Sequence, residues 1–156
     1  MKVLVHDPYL PPDFVGSRGV TGVSLDELLI NSDFVTIHVP LTPETKHMLN
    51  SARIDSMKRG SFLINAARGG LIETEALAKA LLTHHLAGAA LDVLEDEPPK
   101  SDNPLLGLEN VLITPHSAAL TEEAMSRMGM TAAEDIVRVL RGGTAINVAN
   151  RPTRDT

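Results

Sequence analysis

Apolar residues along the chain follow two spacings. Short, nearly continuous runs occur at "KVLVH" (2–6), "FVTIHV" (34–39), "SFLINAA" (61–67), "AGAALDV" (87–93) and "NVLITP" (110–115), and each predicts a strand. "GVTGV" (19–23) predicts a sixth, short one. Runs that stay apolar at successive positions suit strands buried on both faces, as in a parallel sheet. The segments between them have helical spacing. Ser24 and Glu27 form a capping-box pattern that opens "SLDELLINS". Thr42-Pro43 places a cap residue before a first-turn proline. Over 74–83, Ala76, Leu77, Ala80 and Leu81 gather on one helical face. Thr121, followed by Glu122 and Glu123, caps the longest predicted helix. Along it Met125, Met128, Ala132, Ile136, Val139 and Leu140 recur until Gly142-Gly143 end it, and the Met pair reads as core filler.

Strands alternating with helices predict a doubly wound α/β domain with a parallel sheet over residues 1–150, followed by a disordered tail at 151–156. Ligands of such sheets bind beyond the carboxyl ends of the strands, so the residues that follow each strand carry the functional question.

Composition narrows the answer. A chain of 156 residues suits one domain. The absence of cysteine excludes disulfides and thiolate metal sites. A net charge of −6 argues against a nucleic-acid partner, whose phosphates require clustered Lys and Arg. No apolar run reaches the roughly 18 residues of a membrane span. The expectation is a soluble, cytoplasmic protein with no membrane and no nucleic acid among its partners.

The predicted strand ends collect charge. Asp7 follows the first strand, Val39-Pro40 the next long one and Arg68 the "FLINAA" run; Asp92 and Glu97 follow "AGAAL", and His116 follows "NVLITP". Arg68 is followed at once by Gly69 and Gly70, which on its own reads equally as a tight turn with a surface arginine. His38 alternates within a strand, His47 falls on a polar helix face, and His84 and His85 lie near a helix end as surface residues. None has metal-ligand spacing with an acidic partner, so no metal is expected.

Four segments, "SDFVTIHVPLTPETKHML", "MKRGSFLINAARGGLIETEALAKAL", "LAGAALDVLEDEPP" and "NVLITPHSAALTEEAM", resemble the cofactor domain of the D-2-hydroxyacid dehydrogenases in order and spacing. The resemblance implies an NAD-dependent oxidoreductase that interconverts small 2-hydroxy and 2-oxo acids. It places Arg68 as the clamp on the substrate carboxylate and carbonyl, for which a planar fork is suited. His116 becomes the general acid/base, and Glu97 the carboxylate that holds its imidazole. It also sets Asp92 near the nicotinamide and Asp7 at the adenosine ribose hydroxyls, a preference for NAD. Val39, Pro40, Thr45, Ala66 and Ala67 line the cofactor cleft, together with Arg68 and His116. The family's cofactor domain is also its usual dimer contact, so a homodimer is expected.

The same resemblance places a strand and a G-x-G-x-x-G turn about 20 residues ahead of the acidic ribose contact, whereas Asp7 is the seventh residue here. The expectation is therefore a partial cofactor domain, with weak or absent NAD binding and doubtful turnover on its own. The alternative is a non-catalytic folded binding or self-association module. With the first family strand missing, "KVLVH" is expected to slide beside "FVTIHV" and give a flavodoxin-like strand order 2-1-3-4-5-6.

Overall fold

A computed structural model describes residues 1–10 and 19–149, so the tail expected at 151–156 lies outside the described residues. The chain divides into two compact units, Met1–His116 and Ser117–Thr156.

All six predicted strands form in the first unit: β1 (Leu4–Val5), β2 (Thr21–Gly22), β3 (Phe34–Ile37), β4 (Phe62–Asn65), β5 (Gly88–Leu91) and β6 (Val111–Ile113). Every pairing is parallel. Among the described residues three α-helices accompany them: α1 (Leu25–Asn31), α2 (Ser51–Ser56) and α3 (Thr74–Leu82). The Ser24 hydroxyl caps α1 by accepting the Glu27 amide at 3.2 Å. Helix α2 has no counterpart among the predicted elements. It starts where the Asn50 side chain accepts the Arg53 amide at 3.1 Å, and it buries Ile54 completely. The helix expected after Thr42-Pro43 is reduced to a turn, closed by the Lys46 amide on the Thr42 carbonyl at 2.9 Å. It stops because His47 swings to φ +50 and donates its amide to the Gly70 carbonyl at 2.8 Å instead.

One core holds the unit together. Val35 and Ile37 of β3, Leu63 of β4 and Leu91 of β5 point to the same side and are buried with Leu29, Ile54, Leu77 and Leu81 of the helices. The opposite side of the sheet does not meet the expectation of burial on both faces. Phe34 is 66% exposed and Leu112 64%, while Phe34 stacks on Phe62 with ring centroids 5.1 Å apart.

The strand order differs from the expected 2-1-3-4-5-6 at one junction. β1 pairs with β2, and β3-β4-β5-β6 form a separate sheet. Among the described residues no backbone hydrogen bond joins 2–6 to 34–39; the Val3 and Val5 carbonyls accept the Thr21 and Val23 amides instead. The expected slide assumed that an empty slot would strand dry donors and acceptors. That penalty applies only to groups cut off from water, and among the described residues β1 takes its ladder from β2.

The second unit carries α4 (Glu122–Leu140), capped by the Thr121 hydroxyl on the Ala124 amide at 3.1 Å. The Met pair is not core filler: Met125 and Met128 are each 52% exposed, and no residue of α4 is buried. Asp135 instead organises the following turn, accepting the Ile146 and Asn147 amides at 3.0 and 2.7 Å.

Candidate active site

The parallel sheet brings the carboxyl ends of β4, β5 and β6 to one rim, and three of the sequence-predicted residues converge there. β4 ends in Asn65, a polar residue only 1% exposed. Its amide nitrogen donates to the Arg68 carbonyl at 2.9 Å, and its oxygen accepts the Ala67 amide at 3.0 Å. A buried Asn thus replaces two ladder partners and folds Ala66, Ala67 and Arg68 into a fixed turn, with Ala66 and Arg68 exposed and Ala67 half-buried. Gly69 follows because of close approach, not because of its backbone angles. A Cβ there would lie 2.0 Å from the carbonyl carbon and oxygen of Leu94. The turn behind β4 and the loop behind β5 therefore touch backbone to backbone.

That loop carries Asp92 and Glu97. Asp92, 8% exposed, receives the Thr114 hydroxyl on its Oδ1 and gives its amide to the Asn65 carbonyl at 2.9 Å. Glu97 is shared between two segments. One oxygen accepts the Leu94 amide at 3.0 Å, and the other lies 2.7 Å from Nδ1 of His116. His116 itself is held at φ +53, with its amide on the Thr114 carbonyl at 3.0 Å. An ionised carboxylate only accepts, so Nδ1 carries the proton of this bond and Nε2 is the ring atom left to exchange a proton with a substrate.

The hydrogen bond from His116 holds the Glu97 carboxyl below its ordinary value. Partial burial works against this; the Leu94 amide and the charges of His116 and Arg68 work with it. Arg68 thus faces the same carboxylate field as the imidazole. A cleft of about 460 Å³ opens beside them, lined by Asp92, Leu94, Glu97, Ile113, Thr114 and His116.

The other predicted residues sit apart from this cluster. Thr45 donates its hydroxyl to the Pro40 carbonyl at 2.8 Å and accepts the Thr42 amide at 2.8 Å, which fixes the rim behind β3, where Val39 is half-buried. Asp7 lies at the end of β1 in its own cleft of about 460 Å³ with Val5, Leu10, Gly22, Val23 and Ser24. Its Oδ1 accepts the Tyr9 amide at 2.9 Å. A carboxylate has about four lone-pair sites, so capacity remains for a pair of vicinal hydroxyls. Asp7 stands on the β1-β2 ladder, apart from the Arg68–His116 cluster on the four-stranded sheet. Among the described residues no group of three His, Asp or Glu could hold a metal.

Residues 1–118 match the family profile described as "D-isomer specific 2-hydroxyacid dehydrogenase, NAD binding domain". The chain belongs to this family. It is 49% identical over 153 residues to a D-3-phosphoglycerate dehydrogenase of Methanocaldococcus jannaschii, covering 97% of this chain and 29% of that protein. A glyoxylate reductase of Korarchaeum cryptofilum is 44% identical over 151 residues, covering 97% of this chain and 46% of the relative. The crystal structure of D-lactate dehydrogenase with NAD+ from Lactobacillus jensenii superposes with a TM-score of 0.86 at 33% identity, over 96% of this chain and 48% of that one. The chain thus spans between about a third and a half of the length of these relatives.

Two contributors to the site were not legible in the sequence. Asn65 sits inside an apolar run, where a single polar residue reads as noise. His47 reads as a residue on a polar helix face, whereas its Nε2 lies 2.7 Å from Oε1 of Glu95, 48 positions away. The αL-prone backbone at His47 leaves no local pattern to announce it. Of the others, His84 is exposed as expected, while His85 is half-buried and bonds to the Ile54 carbonyl at 3.1 Å.

Proposed function

We propose that this chain is the cofactor-binding part of an NAD-dependent dehydrogenase that interconverts a 2-hydroxy acid and a 2-oxo acid. The observation that carries this reading is the His116–Glu97 pair, held at 2.7 Å on the strand-end rim with Arg68 beside it. NAD, when bound, supplies or accepts the hydride. In the reducing direction the Arg68 fork binds the substrate carboxylate and draws charge from the carbonyl oxygen. His116 then delivers a proton from Nε2 to that oxygen as it becomes a hydroxyl; in the oxidising direction the same atom takes the proton back. Glu97 keeps the ring in the tautomer that presents Nε2 and compensates the imidazolium when it forms. Asp7 receives the ribose hydroxyls of the adenosine end. Asp92, Val39, Pro40, Thr45, Ala66 and Ala67 line the path between.

For the 156-residue polypeptide by itself the reading is weak NAD binding without appreciable turnover. No G-x-G-x-x-G turn precedes Asp7 within these residues. Lacking two or three charge-assisted hydrogen bonds to a pyrophosphate, at about 1.5–3 kcal/mol each, weakens binding roughly hundred- to million-fold. Isothermal calorimetry of this polypeptide with NAD tests the point, and a dissociation constant near or below about a micromolar would overturn it. The dehydrogenase reading is tested separately, by nicotinamide absorbance with a panel of 2-oxo acids, on a full-length protein carrying these residues.

A further inference from the structure

The site described above uses Glu97 but leaves Glu95, two residues earlier, unexplained. Glu95 joins two other segments. Its Oε1 accepts Nε2–H of His47 at 2.7 Å, and its Oε2 accepts the Thr74 hydroxyl at 2.9 Å. The His47 segment is itself stitched to the stretch behind Arg68. The His47 amide meets the Gly70 carbonyl at 2.8 Å, the Leu49 amide the Leu71 carbonyl at 3.0 Å, and the Glu73 amide the Leu49 carbonyl at 3.0 Å. The Ser51 amide adds a bond to the Glu73 carboxylate at 3.0 Å. Gly69 meanwhile packs its Cα against the Leu94 carbonyl so closely that a side-chain carbon has no room. Three segments, 47–51, 69–74 and 94–97, are therefore one unit. Arg68 immediately precedes the 69–74 segment, and Glu97, bonded to His116, ends the 94–97 segment.

We propose that His47 and Glu95 are positioning residues which clamp the 94–97 loop onto the Gly69–Thr74 stretch and so set the separation of Arg68 from the Glu97–His116 pair. The proposal rests on the dehydrogenase reading for its purpose, though not for its geometry. A 2-oxo acid must meet Arg68 and His116 at once, and a misplacement of about 1 Å between catalytic groups can cost about 10²-fold in rate. Two features make the clamp suited to this task. Glu95 engages both partners with separate oxygens, so it fixes the direction of the loop and not only its distance. His47 occupies the left-handed region (φ +50), where His, Asn and Asp are the side chains most often tolerated. The backbone strain is thus accepted at the residue whose ring makes the contact. The bond also leaves its mark on Glu95. Burial, the largest influence, pushes its carboxyl up but is outweighed by the bonds from His47 and Thr74 and the charges of His47 and Lys46, and the net direction is down.

The test uses nitrogen-15 spectra of the His116 ring and amide hydrogen exchange in this chain, with Glu95→Ala, Glu95→Gln and His47→Asn. His47→Asn keeps a residue tolerant of positive φ and removes the ring, so loss of the clamp is separated from backbone strain. In Glu95→Ala and His47→Asn, the Leu94 and Leu71 amides are expected to exchange at least about ten-fold faster, while those of Leu63 and Leu81 keep their protection. The His116 ring signals should shift as the bond to Glu97 loosens, and Glu95→Gln should restore most of both. Uniform acceleration at all four amides would mean general destabilisation, and unchanged His116 signals would mean no coupling to the site; either overturns the proposal. In a full-length enzyme with the same pair, Glu95→Ala should lower kcat by about ten-fold or more with little change in the KM for NAD. A wild-type protein without turnover would defeat the dehydrogenase reading and leave the spectroscopic result standing.

Discussion

Glu97 divides its two carboxylate oxygens between the Leu94 amide, at 3.0 Å, and Nδ1 of His116, at 2.7 Å. One oxygen fixes the loop that bears the carboxylate, and the other fixes the ring. The loop and the imidazole therefore share a single anchor that is half exposed to solvent.

This anchor gives the stability an acid limb. The folded-state carboxyl of Glu97 lies below its ordinary value, chiefly through the His116 hydrogen bond. A carboxyl depressed in the folded state contributes stability above its unfolded pKa, and that contribution disappears as pH falls through the folded value. Urea midpoints should accordingly decline below about pH 4.3, the ordinary value of a glutamate. Glu97→Gln should flatten part of that decline, by no more than roughly 0.5 kcal/mol because the pair is solvent-screened. A variant whose acid limb superposes on that of the wild type would remove Glu97 as its source.

In a full-length enzyme, His116→Ala and Arg68→Ala should fail differently. Loss of the general acid/base should depress kcat by about 10²–10⁴-fold with little change in KM. Loss of the Arg68 fork should also raise the KM for the oxo acid, since the clamp acts on bound substrate as well as on the transition state. Steady-state kinetics showing the same change in both parameters for both variants would defeat this division of roles.

Asn65 should prove as necessary as the residues it supports. Asn65→Ala removes two hydrogen bonds and leaves the Arg68 carbonyl and Ala67 amide without them, at a cost of about 2–4 kcal/mol. Asn65→Asp keeps the acceptor for Ala67 but sets an oxygen against the Arg68 carbonyl, and it should also destabilise. Chemical denaturation of both variants checks this. A loss below about 1 kcal/mol in each would show that the turn holds without its side-chain support.

Two glycines should respond to alanine with opposite signs. At Gly69 the added carbon would lie 2.0 Å from backbone atoms of Leu94, and a loss above about 2 kcal/mol is expected. Gly129, inside α4 with nothing within 4 Å, should gain about 0.5–1 kcal/mol from the better helix former. Thermal or urea unfolding of the two variants decides the matter, and a stable Gly69→Ala would contradict the close packing of the two loops.

Self-association is expected to be concentration-dependent, because Met125, Met128, Ile136, Val139 and Leu140 leave an apolar stripe on α4 more than half exposed. Light scattering should show species heavier than the monomer, reduced by Met128→Lys. A strictly monomeric protein at high concentration would remove this expectation.

Five of the strands were legible because each is a compact apolar run, whereas β2 (Thr21–Gly22) is short and exposed; the order β3-β4-β5-β6 follows from parallel alternation. The rim residues Arg68, Glu97 and His116 were legible because each directly follows such a run or its loop. What stayed hidden has a common cause. The clamp of His47 on Glu95 spans 48 positions, and whether β1 pairs with β3 is decided by tertiary placement. Neither leaves a periodic signature. The stripe on α4 shows the converse: helical spacing announces an apolar face but does not say what covers it.

The seam between the two sheets bears on how a long ligand would be held. Asp7 rides on β1-β2, a ladder of two residues per strand, while Arg68 and His116 ride on the larger sheet. A dinucleotide gripped at both ends would act as a splint across a joint that no backbone hydrogen bond crosses among the described residues. Part of its binding free energy would go into stiffening residues 4–23, so affinity and local order at the amino-terminal ladder would rise and fall together. Saturating NAD should therefore slow amide exchange first at Thr21 and Val23, whose amides bond to the Val3 and Val5 carbonyls.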